Sequence, residues 1–123
     1  MKKKILIVDD EHDIVIILKM ALEKEGYEVE EAFDGVEALE KVTLFKPDLI
    51  LLDIMMPDKD GLTLLKEIKE LDKDVSVAMI TAYRDAEHVI DAFRLGAMDC
   101  LLKPFNLDYI QNTVLPRVRV RPK

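Results

Sequence analysis

Asp9, Asp10 and Glu11 follow the first apolar run of this 123-residue chain, Asp53 follows the third, Thr81 the fourth and Lys103 the fifth. If those runs bring their ends together, three aspartates share one cleft and repel one another. At neutral pH they must then raise a pKa, keep apart, or be neutralised by a cation. A metal is the simplest neutraliser, and a few hard oxygen ligands completed by water suit Mg²⁺ or Mn²⁺ better than zinc. Lys103 would add a fixed positive charge and Thr81 a hydroxyl donor, which together suit a tetrahedral anion on which charge develops. Taken singly these residues say little, since an Asp after a strand more often serves a turn or a helix cap. Their joint placement carries the inference.

That placement depends on the elements. Short apolar runs alternate five times with amphipathic stretches, the pattern of βαβ units wound around a parallel sheet. The runs predict strands over Lys4 to Val8, Glu28 to Ala32, Leu49 to Leu52, Val75 to Ile80 and Asp99 to Leu102. Helical spacing of i, i+3, i+4, i+7 links Ile14, Ile17, Leu18, Ala21 and Leu22, then Gly35, Ala38, Leu39, Val42 and Phe45. Leu64, Leu65, Ile68 and Leu71 mark a third helix, and Ala86, Val89, Ile90 and Phe93 a fourth. Gly26 and Gly96 stand where the first and fourth helices should stop, and Asp34 is a candidate N-cap for the second. Asp48, after Pro47, reads as a normal helix-to-strand exit. Leu107, Ile110 and Val114 begin a fifth face that Pro116 should kink or end.

Right-handed crossovers put the C-terminal ends of parallel strands on one edge, and ligands bind where the strand order reverses. The order 2-1-3-4-5 sets strands one and three side by side and brings Asp9, Asp10 and Asp53 together. It also leaves the charged second strand at an edge, where charge is tolerated.

Composition narrows the function classes. Hydrophobic residues make up 50% of the chain, enough for one core, so one domain is expected, with 1–115 as its body and 116–123 as a tail or linker stub. No apolar run is long enough to span a bilayer, which predicts no membrane association and a cytoplasmic location. Cys100 is the only cysteine, so neither an internal disulfide nor a thiolate zinc cage can form. A net charge of -7 argues against direct nucleic-acid binding by the domain, and the basic Arg117, Arg119, Arg121 and Lys123 read as a solvated tail.

The motifs now resemble a known family. Ile7-Val8-Asp9-Asp10-Glu11, Leu52-Asp53-Ile54-Met55-Met56-Pro57 with Asp60-Gly61, Thr81-Ala82, and Lys103-Pro104-Phe105 are together similar to the signatures of the response-regulator receiver family, from Lys4 to about Val114. The resemblance implies an α/β fold of flavodoxin-like (βα)5 type, a three-layer sandwich around a five-stranded parallel sheet in the order 2-1-3-4-5. It implies that Asp53 accepts a phosphoryl group from a phosphohistidine, with Mg²⁺ (or Mn²⁺) held directly by Asp10 and Asp53, through water by Asp9, and by the Met55 carbonyl. Thr81 and Lys103 would hold phosphoryl oxygens, Thr81 moving inward on phosphorylation, and the Lys103–Pro104 bond would be cis. Met55 and Tyr83 occupy positions that tune phosphoryl lifetime in the family. The partners implied are a sensor histidine kinase or phosphotransfer protein upstream, and a downstream protein or the chain's own effector domain. The chain itself would be a monomer or a phosphorylation-dependent dimer, switching the face of helix four, strand five and helix five.

One position departs from the family pattern: Cys100 stands where a switch aromatic is usual. A lone strand cysteine is more often an inert buried hydrophobe, which puts the aromatic readout in question here. A receiver fragment of a DNA-binding transcriptional regulator would carry the same motifs. A small Mg²⁺-dependent aspartyl phosphatase of the haloacid dehalogenase type would place a second Asp two residues after its first-strand nucleophile, whereas Asp9 is followed by Asp10, Glu11 and His12. A flavodoxin-type cofactor protein would offer hydroxyls and glycines in the first loop instead of acids.

Overall fold

A computed structural model of the protein describes residues 2–56, 58–82, 86–103 and 106–118. Pro57, Tyr83, Pro104 with its cis expectation, Phe105, and Arg119, Arg121 and Lys123 of the basic tail lie outside the described residues. The strands are β1 (Lys4–Val8), β2 (Glu28–Ala32), β3 (Leu49–Asp53), β4 (Ser76–Thr81) and β5 (Asp99–Leu102). All pair in parallel, in the order β2-β1-β3-β4-β5. The helices are α1 (His12–Lys24), α2 (Gly35–Phe45), α3 (Gly61–Leu71) and α4 (Ala86–Arg94), with α5 starting at Leu107–Tyr109.

Alternation along the strands builds the two cores. Leu6, Val8, Ile50, Leu52, Val77 and Met79 pack toward α2, α3 and α4. Ile5, Ile7, Leu49, Leu51, Ala78 and Ile80 pack the other way, toward α1 and α5. Each central strand is thus apolar on both faces, as parallel strands covered by helices require. The edge strand β2 keeps its charge by pairing it: Glu31 meets Lys19 of α1 at 2.8 Å, and Glu30 meets Lys41 of α2 at 2.7 Å. These alternate residues point to opposite faces, so one ion pair serves each helix layer.

Helix ends follow local chemistry. Asp34 accepts from the Glu37 amide at 2.8 Å, and Glu37 reaches back to the Phe33 amide at 2.8 Å, a reciprocal cap of α2. Gly26 and Gly96 adopt φ of 95° and 104° just past α1 and α4, a region that Cβ-bearing residues rarely enter. Asp48 does more than mark an exit: it is 1% exposed and accepts from the Lys4 amide at 2.8 Å, joining the starts of β1 and β3.

The fifth helix bears the mark of its proline. After one α-turn the chain widens to a π-helix over Ile110–Val114 and tightens to a 3-10 turn over Leu115–Arg117. Pro116 has no amide to donate and its ring crowds the carbonyl one turn back, so regular i to i−4 winding cannot continue. The Leu115 amide bonds Ile110 O instead. Ile110, Val114 and Leu115 still bury themselves against the sheet, and Val118 beyond them is 3% exposed.

Candidate functional site

The C-terminal edge of the sheet gathers the predicted residues. Asp53 is the last residue of β3 and Thr81 the last of β4, 4% and 0% exposed respectively. Asp9 follows β1 and is 3% exposed, while Asp10 and Glu11 reach solvent. Lys103 follows β5, and its amide donates to Thr81 O at 2.8 Å, continuing the ladder one step past the strand. Backbone pairing therefore places four chain segments around one cleft before any side chain is considered.

Within it, one carboxylate oxygen from each of Asp9, Asp10 and Asp53 lies within 4.8 Å of the other two. The Lys103 ammonium stands among the acids, 3.0 Å from Asp9 Oδ2, 3.2 Å from Asp53 Oδ2 and 2.5 Å from Glu11 Oε1. The remaining oxygens are held by backbone. Asp53 Oδ1 accepts from the Met55 amide at 3.1 Å and Asp9 Oδ1 from the Glu11 amide at 2.9 Å. Each buried aspartate thus has one oxygen fixed by the chain and one facing the ammonium.

Charge is unbalanced in this arrangement: four carboxylates face one ammonium. Burial pushes the Asp53 carboxyl up to about 6 from 3.8; the Met55 amide opposes this, Asp9 adds to it, and Lys103 pulls it down. Burial works against the Lys103 charge, but hydrogen bonds to Glu11 and Asp9 and the field of Asp53 outweigh it and raise its pKa. Lysine therefore stays protonated, while burial makes Asp53 give up its proton less readily than a free aspartate. The three aspartates offer oxygen donors and unspent negative charge, a donor set that fits a hard divalent cation.

Other predicted residues take varied places. Met55 is exposed at its side chain, and its backbone forms an isolated antiparallel bridge with Asp60. Cys100 is half-buried on the α2-α3-α4 side, with its thiol pKa raised by burial and then by Asp99. His12 stacks on Phe33 with ring centroids 4.0 Å apart. Two further acids take part beyond those to which the motifs give a role. Glu11 occupies the N-cap position of α1 but makes no side-chain cap, its carboxylate turning to Lys103 instead. Asp58 lies in the loop between β3 and α3 and accepts from the α2 amides of Gly35 and Val36. The run of three acids was the available signal for Glu11; for Asp58 there was none.

Comparison with known proteins agrees with this geometry. The family described as response regulator receiver domain matches residues 5–115. Sporulation initiation phosphotransferase F of Bacillus subtilis is 41% identical over 114 residues, covering 93% of this chain and 92% of that protein. Chemotaxis protein CheY of the same organism is 42% identical over 115 residues, covering 93% and 96%. Among solved structures, a CheY-like receiver domain protein from Methanospirillum hungatei superposes with a TM-score of 0.91 at 34% identity, covering 95% of this chain and 94% of that one. None of the described helices is long and apolar enough to cross a membrane. With its five-stranded order and its acidic strand ends, the chain belongs to the response regulator receiver domain family.

Proposed function

We propose that the chain is a phosphoacceptor switch of a two-component or phosphorelay system, with Asp53 as the nucleophile. The observation that carries this reading is the Lys103 ammonium set against Asp53 Oδ2 and Asp9 Oδ2 at the head of the sheet. With its pKa near 6, Asp53 is largely ionised at neutral pH. Its oxygen attacks the phosphorus of a phosphohistidine; the new P–O bond forms as the P–N bond breaks, and the electron pair leaves with the imidazole nitrogen. Lys103 then exchanges a carboxylate partner for a phosphoryl oxygen, and the Thr81 hydroxyl donates to another. Both act by preorganised charge, the main lever in phosphoryl transfer. Asp10, Asp53 and the Met55 carbonyl would hold Mg²⁺ or Mn²⁺ directly and Asp9 through water; the ion, when bound, neutralises the acids and the transferring oxygens.

The donor is a sensor histidine kinase or a phosphotransfer protein, and this chain works in the cytoplasm. The output face is that of α4, β5 and α5, where Ile90, Phe93, Leu102 and Tyr109 are exposed. Residues 1–115 form the receiver, and 116–123 a tail or linker whose first residues pack on the body. The chain catalyses only its own phosphorylation and dephosphorylation. Incubation with phosphoramidate, a small P–N donor, tests the chemistry. A Mg²⁺-dependent adduct released by hydroxylamine is expected; an adduct stable to hydroxylamine would place the phosphoryl group on another residue type.

A further inference from the structure

The loop after Asp53 closes on itself and is also fastened to a neighbour. Its closure rests on the Met55–Asp60 bridge and on the Gly61 amide, which donates to Ile54 O at 2.7 Å. The approach is so tight that a Cβ on Gly61 would stand 2.4 Å from Ile54 Cα and 2.5 Å from its carbonyl oxygen. The fastening is Asp58. Its two carboxylate oxygens accept from the Gly35 amide at 2.8 and 3.1 Å, and Oδ2 accepts from the Val36 amide at 3.3 Å.

Gly35 and Val36 are the first two residues of α2, whose own cap Asp34 engages the third amide, that of Glu37. Two of the helix's leading donors therefore find their acceptor in the phosphoacceptor loop instead of in their own chain segment. The contact favours an ionised acceptor: the Gly35 amide first, and the Val36 amide after burial's small opposition, hold the Asp58 carboxyl below its ordinary range. Lys59 adds a second strap. Its methylenes lie where a Cβ on Gly35 would meet them at 2.9 Å, and its ammonium reaches Glu67 of α3 at 2.8 Å.

We infer that Asp58 is a positioning residue, clamping the loop that presents the Met55 carbonyl onto the N-terminus of α2, so that cation binding at Asp53 and the entrance of α2 are coupled. The inference rests on the proposed function, since it presumes a cation at Asp53 and Met55. Coupling of this kind is reciprocal: whatever the cation does to the loop reaches the Gly35 and Val36 amides, and whatever loosens those amides weakens the cation.

The test uses the full chain as wild type, Asp58→Asn and Asp58→Ala. Mg²⁺ affinity is measured by titration calorimetry, and the Gly35 and Val36 amides are followed by NMR in the same titration. Both substitutions remove the same charge, so a difference between them reports hydrogen bonding and not the field at the acids. In the wild type the two amides are expected to shift in step with Mg²⁺ saturation. Asp58→Ala should bind Mg²⁺ about fivefold more weakly, the scale of a lost helix cap, with Asp58→Asn between the two. Equal affinities in all three, with only a lower melting temperature in the variants, would overturn the coupling and leave Asp58 a mere cap. If the wild type itself shows no Mg²⁺ response near Asp53, the phosphoacceptor reading falls, and the coupling with it.

Discussion

Replacing Asp53 with Asn should stabilise the metal-free protein, and the size of the gain should depend on pH. In the folded chain the Asp53 carboxyl is pushed up to about 6 against an ordinary 3.8. Between those values the folded state holds more proton than the unfolded one, so stability falls as pH rises through that window and the penalty is complete above it. A displacement of that size corresponds to about 3 kcal/mol if taken whole. The cleft opens to water at Asp10 and Glu11, and screening reduces the expected penalty to about 1 to 2 kcal/mol. Asparagine removes the penalty while keeping an oxygen for the Met55 amide. For a chain of this length the gain is about 3 to 8 °C in melting temperature. The assay is thermal unfolding by circular dichroism in EDTA at pH 8 and at pH 4. Asp53→Asn is expected to melt above the wild type at pH 8, with the difference shrinking at pH 4, where the folded wild type keeps the Asp53 proton. A variant less stable at pH 8, or a gain independent of pH, would show that the buried Asp53 charge does not destabilise the fold.

Lys103→Met removes the only ammonium bonded to both Asp9 and Asp53 among the described residues; phosphorylation by acetyl phosphate should slow by about a hundredfold, measured by intact mass against time. The same variant should raise the Asp53 pKa further, seen by NMR titration of its carboxyl carbon, because a favourable charge is lost. Gly61→Ala drives a methyl into the Ile54 backbone and should cost about 2 to 3 kcal/mol in urea unfolding. Asp34→Ala removes the acceptor of the Glu37 amide and should cost about 1 kcal/mol in the same assay.

The strand pattern was legible because the central strands are compact apolar runs, and β1, β2 and β5 span the residues expected of them. Its ends were less so. Val75 is fully buried yet lies outside β4, which starts at Ser76 opposite Leu49; burial sets the apolar run, whereas the hydrogen-bond ladder sets the strand. The same ladder extends β3 to Asp53 and β4 to Thr81, which sets both side chains at the last positions of their strands. Asp9, Asp53, Thr81 and Lys103 could be placed in advance because each directly ends or follows a strand. The roles of Asp58 and Asp48 could not, since their partners lie 23 and 44 residues away in sequence. No local pattern encodes such pairings. Pro116 announced a disturbance, but widening to a π-helix that still buries Ile110 and Val114 depends on the sheet they pack against.

Phosphoryl acceptance by Asp53 is proposed to depend on a bound divalent cation. Intact-protein mass spectrometry after incubation with acetyl phosphate, with and without Mg²⁺, on the wild type and Asp53→Asn, tests it most directly. The wild type should gain one phosphoryl mass with Mg²⁺, and neither the variant nor the wild type in EDTA should gain any. An adduct of equal yield in Asp53→Asn would contradict it, as would a wild type that gains no phosphoryl mass and also fails to bind beryllofluoride with Mg²⁺.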